Sequence, residues 1–165
     1  MLETERLRLR HWTEADREPF SRMNADVKVM EFMPERLSRA ESDMLVGRIE
    51  DQFRKHAFGL FAAELRETRL FVGFIGLSVQ TFEAHFTPCV EIGWRLAPEH
   101  WGRGLATEGA KAVLQYAFED LRLNEVVSFT SAANLRSRHV MEKIGMTHNA
   151  ADDFDHPGHA GWAWP

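Results

Sequence analysis

The stretch His100–Gly109 reads HWGRGLATEG, and a glycine-rich turn within it runs directly into a helix. The apolar stretch Val90–Leu96 before it is typical of a strand, and apolar residues recur at helical spacing from Ala106 onward. A strand, a turn and a helix N-terminus together leave several backbone N–H groups unpaired, and the helix dipole adds about half a positive charge. Such a turn can hold a phosphate or pyrophosphate, although glycines that only permit positive φ would look the same. Neither the P-loop nor the three-glycine dinucleotide fingerprint is present.

Composition places the chain among globular proteins in the cytoplasm. Its 165 residues are predicted to form one domain, 1–165, with residues 150–165 as an atypical tail. A net charge of −5 argues against a nucleic-acid partner. No apolar run approaches the roughly 20 residues that span a bilayer, and Met1–Arg6 lacks the apolar core of a secretory signal. We therefore expect no membrane partner, and the single cysteine, Cys89, fits a reducing compartment.

Hydrophobic periodicity predicts an alternating order of strands and helices without a linker or repeat. The predicted strands are Arg6–Arg10, Phe58–Leu65, Leu70–Val79, Val90–Leu96, Glu125–Ser131 and one beginning at Met146. The predicted helices begin at the capping motifs Thr13-x-x-Asp16 and Ser38-x-x-Glu41, near Ala106, and at Asn134, where Gly145 closes the helix.

Three segments resemble the GNAT superfamily of acetyl-CoA-dependent N-acetyltransferases, and their residues are similar to those of its RimJ/RimL-like branch. They are Glu5–Arg10 with Glu14–Asp16, Glu91–Leu96 through Trp101–Glu108, and Asn134–Ser137 with Glu142–Met146. The resemblance covers about residues 3–147. It implies an α/β fold of the α+β kind, with a mixed, mostly antiparallel central sheet flanked by helices and strands splayed at the CoA site. In the family's loop pattern, Gln/Arg-x-x-Gly-x-Gly/Ala, Gly104 and Ala106 fill the last two positions and Trp101 departs from the first.

The resemblance also implies acetyl-CoA as co-substrate and no metal. Its pyrophosphate would lie on backbone N–H groups of the loop, to which Arg103 could add a charge-assisted contact. A backbone N–H near Leu96 would polarise the thioester carbonyl. Asn134 is where the family commonly contacts the cofactor arm, although a plain helix N-cap would use the same residue. The expected loop contacts are Trp101, Gly102, Arg103, Gly104, Leu105, Ala106 and Thr107.

Glu91 is the candidate general base. It alternates with Gly93 and Arg95 on the strand face opposite Val90 and Ile92. A carboxylate beside the thioester can accept the proton of the attacking amine directly or through water. On this basis, Glu91→Gln would lower the rate chiefly at lower pH, where the amine is mostly protonated. A structural ion pair, for instance with Arg95, is the alternative interpretation.

Ser137 is the candidate donor to the leaving thiolate, one turn beyond Asn134 on the same helix. Many GNAT enzymes use a tyrosine one turn further on, where this chain has Met141, and its only tyrosine, Tyr116, falls in another helix. Ser137 could instead bond to its own backbone, as serines in a first helical turn often do.

Two other groups are weaker candidates. Cys89 could form an acetyl-enzyme, but no activating base is near it in sequence, so a small buried hydrophobe is expected. The tail segment Asp152–His156, with His148 and His159, lacks a fixed metal-ligand spacing and is expected to be a solvated loop. The final Gly158–Pro165 could form a short strand through Trp162 and Trp164 or an altered end.

The sequence thus predicts acetyl transfer to a primary amine by direct attack in a ternary complex, in a monomer or homodimer. The acceptor is either a protein N-terminal amine or a small amine such as a metabolite or antibiotic. Acidic residues at Glu31, Glu35 and Asp43 would suit a cationic acceptor, and a solvated helix face explains them as well. A catalytically lapsed CoA-binding regulatory domain is the alternative to an enzyme.

Overall fold

Five strands form one antiparallel sheet in which each strand pairs with its neighbour along the chain. The computed structural model describes residues 1–157 and the backbone of residues 163–164. The sheet comprises β1 Leu2–Glu3, β2 Leu7–Arg10, β3 Leu60–Leu65, β4 Phe71–Gln80 and β5 Cys89–Leu96. The helices are α1 Glu14–Ala25, α2 Arg39–His56, α3 Leu105–Gln115, which continues as a wider turn Tyr116–Asp120, and α4 Leu135–Lys143. This α+β arrangement confirms the expected fold class.

The alternation of side chains along the strands divides the core into two layers. On one face, buried residues of the sheet pack against Leu105, Ala110 and Val113 of α3. On the other face, α1 and α2 cover Phe74 of β4 with a second apolar cluster. The buried sheet residues of the first layer are Leu7, Leu9, Ile75, Leu77 and Ile92, and the helical residues of the second are Phe20, Met23, Val46 and Ile49.

Both predicted capping motifs are present, so the sequence places the starts of α1 and α2 correctly. The Asp16 carboxylate accepts a hydrogen bond from the Thr13 backbone N–H at 2.8 Å. The Glu41 carboxylate accepts one from the Ser38 N–H at 2.7 Å, and the Glu41 N–H donates back to the Ser38 hydroxyl at 3.3 Å. These bonds satisfy N–H groups that a helix start otherwise leaves free.

The predicted strand Glu125–Ser131 is wrong as a full strand. Its one bridge is parallel and joins Val127 to Glu91. There the Ile92 N–H donates to the Val127 carbonyl at 2.8 Å, and the Val127 N–H donates to the Val90 carbonyl at 2.9 Å. Among the described residues no further bridge joins this segment to β5, so the two splay apart after one contact, as the resemblance implies.

The strand predicted from Met146 is also wrong, because residues 146–149 are irregular and a short 3-10 helix, Ala150–Asp152, precedes Phe154. Phe154–Asp155 (β6) then pairs antiparallel with Ala163–Trp164 (β7) in a separate two-stranded sheet. The tail therefore forms a strand but does not extend the five-stranded sheet. The expectation for Trp162 lies outside the described residues. None of the helices in the described part of the chain is both long and apolar enough to cross a membrane.

Candidate active site

A cavity of about 550 Å³ lies where β5 and the segment after Val127 splay apart. It is bounded by β4 and β5, by the turn into α3, by α4, and by the segment that connects α1 to α2. Both predicted catalytic residues, Glu91 and Ser137, line it. So do eight of the nine predicted cofactor-binding residues: Leu96, Trp101, Gly102, Gly104, Leu105, Ala106, Thr107 and Asn134.

The glycine loop turns its backbone toward this cavity. Gly102 and Gly104 have φ of +71° and +77°, a region that side-chain-bearing residues rarely adopt. Gly104 caps α3, so the N–H groups of the first turn, Leu105–Thr107, have no carbonyl of their own helix to bond. The loop is anchored from outside by Arg6, which donates to the Arg103 carbonyl at 2.8 Å and pairs with Glu108 at 2.7 Å. The result is a preformed anion cradle at a helix N-terminus.

Arg103 itself does not line the cavity, unlike the other loop residues. Its guanidinium lies 3.4 Å from the Nδ1 atom of His100. The charge-assisted contact expected of this side chain therefore has no support in the geometry, and the loop's contribution comes from its backbone. Burial lowers the pKa of the His100 ring, which does line the cavity.

The edge of β5 offers further N–H groups to the cavity. In an antiparallel ladder, successive N–H groups point to alternate sides of a strand. Because the Ile92 N–H points to Val127, those of Trp94 and Leu96 point to the same side, beyond the last bridge. No partner for them exists among the described residues. The Leu96 N–H is therefore available as a donor on this side of β5, and its role toward a carbonyl oxygen stays a prediction.

Glu91 lies in the cavity wall and pairs with no cation in the described part of the chain. Its carboxylate accepts hydrogen bonds from the Gln80 amide at 2.5 Å and from the Ser78 hydroxyl at 3.5 Å, both on β4. Burial raises its pKa to about 8, although these two hydrogen bonds lower it. The structural ion pair with Arg95 is absent. A carboxyl that titrates near neutral pH is suited to general base chemistry.

Asn134 and Ser137 have distinct positions at the start of α4. The Asn134 carboxamide oxygen accepts from the Ser137 backbone N–H at 3.2 Å, so Asn134 is the helix N-cap and also lines the cavity. Ser137 also lines the cavity, and its hydroxyl has no hydrogen-bond partner within residues 1–157. The alternative, a hydroxyl bonded to its own backbone, is not observed.

Arg136 also lines the cavity, a position that sequence reasoning missed. Its guanidinium pairs with Glu31 at 2.9 Å and lies 4.3 Å from the centre of the Trp101 ring. Trp101 in turn donates from its indole N–H to the Leu96 carbonyl at 2.7 Å. The sequence signal that could have identified Arg136 was its position between Asn134 and Ser137, two residues already recognised as candidates.

The weaker candidates within the described residues do not assemble into a site, and His159 lies outside those residues. Burial raises the pKa of the Cys89 thiol to about 11, so the thiolate is scarce at neutral pH. His148 in the tail pairs with Asp153 at 2.7 Å. Within the described residues, no three His, Cys, Asp or Glu side chains are grouped as metal ligands.

The acidic residues expected to suit a cationic acceptor do not reach the cavity. Glu31 pairs with Arg136, and Asp43 pairs with Arg39 at 2.9 Å. Neither Asp43 nor Glu35 lines the cavity, where Glu91 is the one carboxyl among the described lining residues.

Comparison with known proteins agrees with this geometry. Over 146 residues, 88% of this chain and 84% of the relative, the chain is 30% identical to the uncharacterized protein YkkB of Bacillus subtilis. It is 47% identical over 62 residues to the FsC-acetyl coenzyme A-N(2)-transacetylase of Aspergillus fumigatus, of which it spans only 26%. The crystal structure of an acetyltransferase from Agrobacterium tumefaciens superposes with a TM-score of 0.83 at 28% identity, covering 99% of this chain and 91% of that one.

The match to a family extends from the second strand to just beyond α4. Residues 6–147 match the acetyltransferase (GNAT) domain, and this range contains the glycine loop, Glu91 and Ser137. A match of this extent identifies the family, and with it an acetyltransferase that uses acetyl-CoA. The chain belongs to the GNAT acetyltransferase family.

Proposed function

We propose that this chain transfers the acetyl group of acetyl-CoA to a primary amine by direct attack in a ternary complex. The observation that carries the proposal is the convergence of four features on one cavity. They are the N–H groups of the glycine loop, the free edge of β5, the Glu91 carboxyl and the Ser137 hydroxyl. The residues quoted around the loop further support membership of the RimJ/RimL-like branch.

Each residue has a defined task in this reaction. Acetyl-CoA supplies an activated acyl group as a thioester, and the loop N–H groups of residues 101–107 bind its pyrophosphate. The Leu96 N–H donates to the carbonyl oxygen, on which negative charge develops. Glu91 accepts a proton from the amine, and Ser137 donates a hydrogen bond toward the departing sulfur.

The cavity favours a small amine over a protein N-terminus as the acceptor. The Glu91 carboxyl lies in the wall of the cavity, where its surroundings are largely desolvated. An acceptor must therefore enter the cavity to reach this carboxyl, which a small amine does more readily than the end of a folded protein.

Release of free CoA in the presence of amines tests the proposed function. Incubation of the full chain with acetyl-CoA and a panel of primary amines is expected to give thiol release and an acetylated amine, detected by mass spectrometry. The reciprocal plots at several amine concentrations should intersect, and Cys89→Ala should retain activity, because the thiol has no activating base. Tight CoA binding without turnover of any amine would instead identify a lapsed CoA-binding domain. Parallel reciprocal plots together with inactivity of Cys89→Ala would indicate a covalent intermediate.

Ser137→Ala is expected to lower kcat by about tenfold while acetyl-CoA affinity stays nearly constant. The reason is that a hydrogen bond to sulfur strengthens only as negative charge develops on it. Steady-state kinetics and calorimetry measure the two quantities separately. Ser131→Ala is the matched control, because Ser131 precedes α4 and does not line the cavity. An equal loss of affinity and kcat in Ser137→Ala would assign the hydroxyl to cofactor binding instead.

A further inference from the structure

Arg95 is a cavity residue whose positive charge has no acidic partner among the described residues. It follows Glu91 and Gly93 on the same face of β5, and its guanidinium lies 5.4 Å from the centre of the Phe74 ring. One of its nitrogens donates to the Asn24 carboxamide oxygen at 2.7 Å. No carboxylate of residues 1–157 lies within 4.0 Å of it. Burial lowers its pKa to about 10, so the group stays charged at neutral pH.

Two other partly buried arginines of this chain have acidic partners. Arg10 pairs with Asp16 at 2.7 Å and with Glu64 at 2.8 Å. Arg17 pairs with Glu14 at 2.9 Å. A buried charge without a counter-ion is unfavourable, and arginines at such depth are normally paired. The contrast indicates that the counter-ion of Arg95 arrives with a ligand.

The Arg95 guanidinium is positioned by its hydrogen bond to Asn24. Asn24 is fully buried in α1, and its amide donates to the Ser42 hydroxyl of α2 at 2.9 Å. This bond leaves the Asn24 oxygen directed at Arg95. Only one of the five N–H donors of Arg95 has a hydrogen-bond partner among the described residues, so donors remain for a planar, bidentate acceptor.

The base and the guanidinium share one open strand face. Gly93 lies between them and adds no side chain to this face. A Cβ placed there would lie 3.9 Å from a Glu91 carboxylate oxygen and 4.0 Å from a Leu60 methyl. Four residues along a strand separate Glu91 from Arg95 by roughly 13 Å between Cα atoms. An acceptor over Gly93 would thus meet the proton acceptor at one end and a cation at the other.

The charge of the surrounding wall points in the same direction. Lys28 also lines the cavity, and Glu91 is the one acidic group among the described lining residues. A polycationic amine would therefore meet like charges and find no spare carboxylate. An anionic group on the acceptor meets two cations, Lys28 and Arg95.

We propose that the acceptor is a small amine that carries a carboxylate, and that Arg95 binds this carboxylate. The inference rests on the proposed acetyl transfer and narrows its substrate class. Arg95 is then a specificity-determining residue, because it selects among amines by the group at their other end.

Matched pairs of amines test this assignment. The panel consists of α-, β- and longer amino acids, each beside the carboxamide that keeps the amine and removes the negative charge. For at least one pair, wild-type protein should show a kcat/KM about ten- to hundredfold higher for the acid. Arg95→Gln should abolish this ratio while CoA affinity and melting temperature stay close to wild type. Arg95→Lys should retain part of it, and Arg17→Gln, which removes a paired arginine outside the cavity, should retain all of it.

A binding measurement keeps the test independent of turnover. Calorimetry on the CoA-loaded protein compares N-acetylated acids with N-acetylated carboxamides, in wild type and in Arg95→Gln. The assignment is overturned if wild type binds acids and carboxamides with equal affinity. It is also overturned if Arg95→Gln keeps the preference for acids. Acetylation of amines without any carboxylate preference overturns it while leaving the proposed function intact. Absence of acetylation with every amine contradicts the proposed function, and the calorimetric comparison still decides on Arg95.

Discussion

Replacing Glu91 by glutamine is expected to lower kcat by about 10²–10⁴-fold, the usual contribution of a general base. Glutamine has nearly the same size and can keep hydrogen bonds to Gln80 and Ser78, so the local packing should be preserved. What it loses is the ability to accept the proton of the attacking amine. Single-turnover measurements at saturating acetyl-CoA would isolate this step from product release.

The pH dependence of this loss follows from the raised pKa. Because burial raises the pKa of Glu91 to about 8, the carboxyl is largely protonated below that pH and cannot act as a base. Wild-type kcat/KM should therefore rise toward pH 8 and level off above it, even for an amine that is already neutral throughout the range. The deficit of Glu91→Gln should be largest above pH 8 and should shrink at lower pH. This is the reverse of the sequence-based expectation, which assumed an ordinary carboxylate.

A stability measurement provides an independent check on the burial of Glu91. A carboxyl that keeps its proton in the folded state does so because its ionised form is unfavourable there. Folding stability should thus fall as pH rises from the ordinary carboxyl range through about 8, and Glu91→Gln should not show this fall. Thermal melting between pH 5 and 9 measures the difference.

Glu125→Gln is the matched control for both measurements, because Glu125 is exposed and does not line the catalytic cavity. It should keep wild-type activity and the wild-type pH profile. If kcat/KM of Glu91→Gln still rises toward pH 8, the titrating group is a different one, and Glu91 is not the base.

Local sequence patterns predicted the parts of the site that depend on neighbouring residues. The glycine loop is an example, since Gly102 and Gly104 adopt positive φ directly before α3. The capping motifs at Ser38 and Asn134 are further examples, because each is satisfied within three residues. Such features need no knowledge of the rest of the chain.

The segment Glu125–Ser131 shows where local patterns fail. Its apolar residues are as suitable for a strand as those of β5, but a ladder also requires an adjacent backbone along its whole length. Here the partner departs after the bridge between Val127 and Glu91. The same departure opens the cavity, so the error in the strand and the presence of the site have one cause.

The role of Arg95 could not be predicted for a different reason. Its one hydrogen-bond partner within residues 1–157, Asn24, lies 71 residues earlier in the chain. From the sequence, Glu91 was a plausible ion-pair partner of Arg95 on the same strand face. In the structure, the Glu91 carboxylate instead accepts hydrogen bonds from Gln80 and Ser78. Which charges are paired and which are left over depends on contacts between distant elements, and that balance is visible only in three dimensions.

Gly104→Val is expected to weaken the binding of CoA and acetyl-CoA by about a hundredfold. Gly104 has a φ of +77°, and the nearest atom to a Cβ there is an Arg6 guanidinium nitrogen at 3.6 Å, so backbone strain and not a collision opposes valine. A left-handed conformation costs a residue with a side chain about 1–2 kcal/mol. If the loop relaxes to relieve that strain, the N–H groups of Leu105–Thr107 no longer converge, and each lost charge-assisted bond adds about 1.5–3 kcal/mol.

Gly145→Val is the control that distinguishes disruption of the anion-binding loop from the effect of backbone strain alone. Gly145 follows α4 with a φ of +87°, a Cβ there would have open space around it, and the residue does not line the cavity. Both variants should therefore lose similar folding stability in thermal melting, but only Gly104→Val should lose affinity in calorimetry with CoA. Gly104→Ala should fall between wild type and valine, because alanine tolerates positive φ better than a β-branched residue does. Wild-type affinity in a folded Gly104→Val protein would mean that the pyrophosphate is held elsewhere, and the loop would have no part in the site.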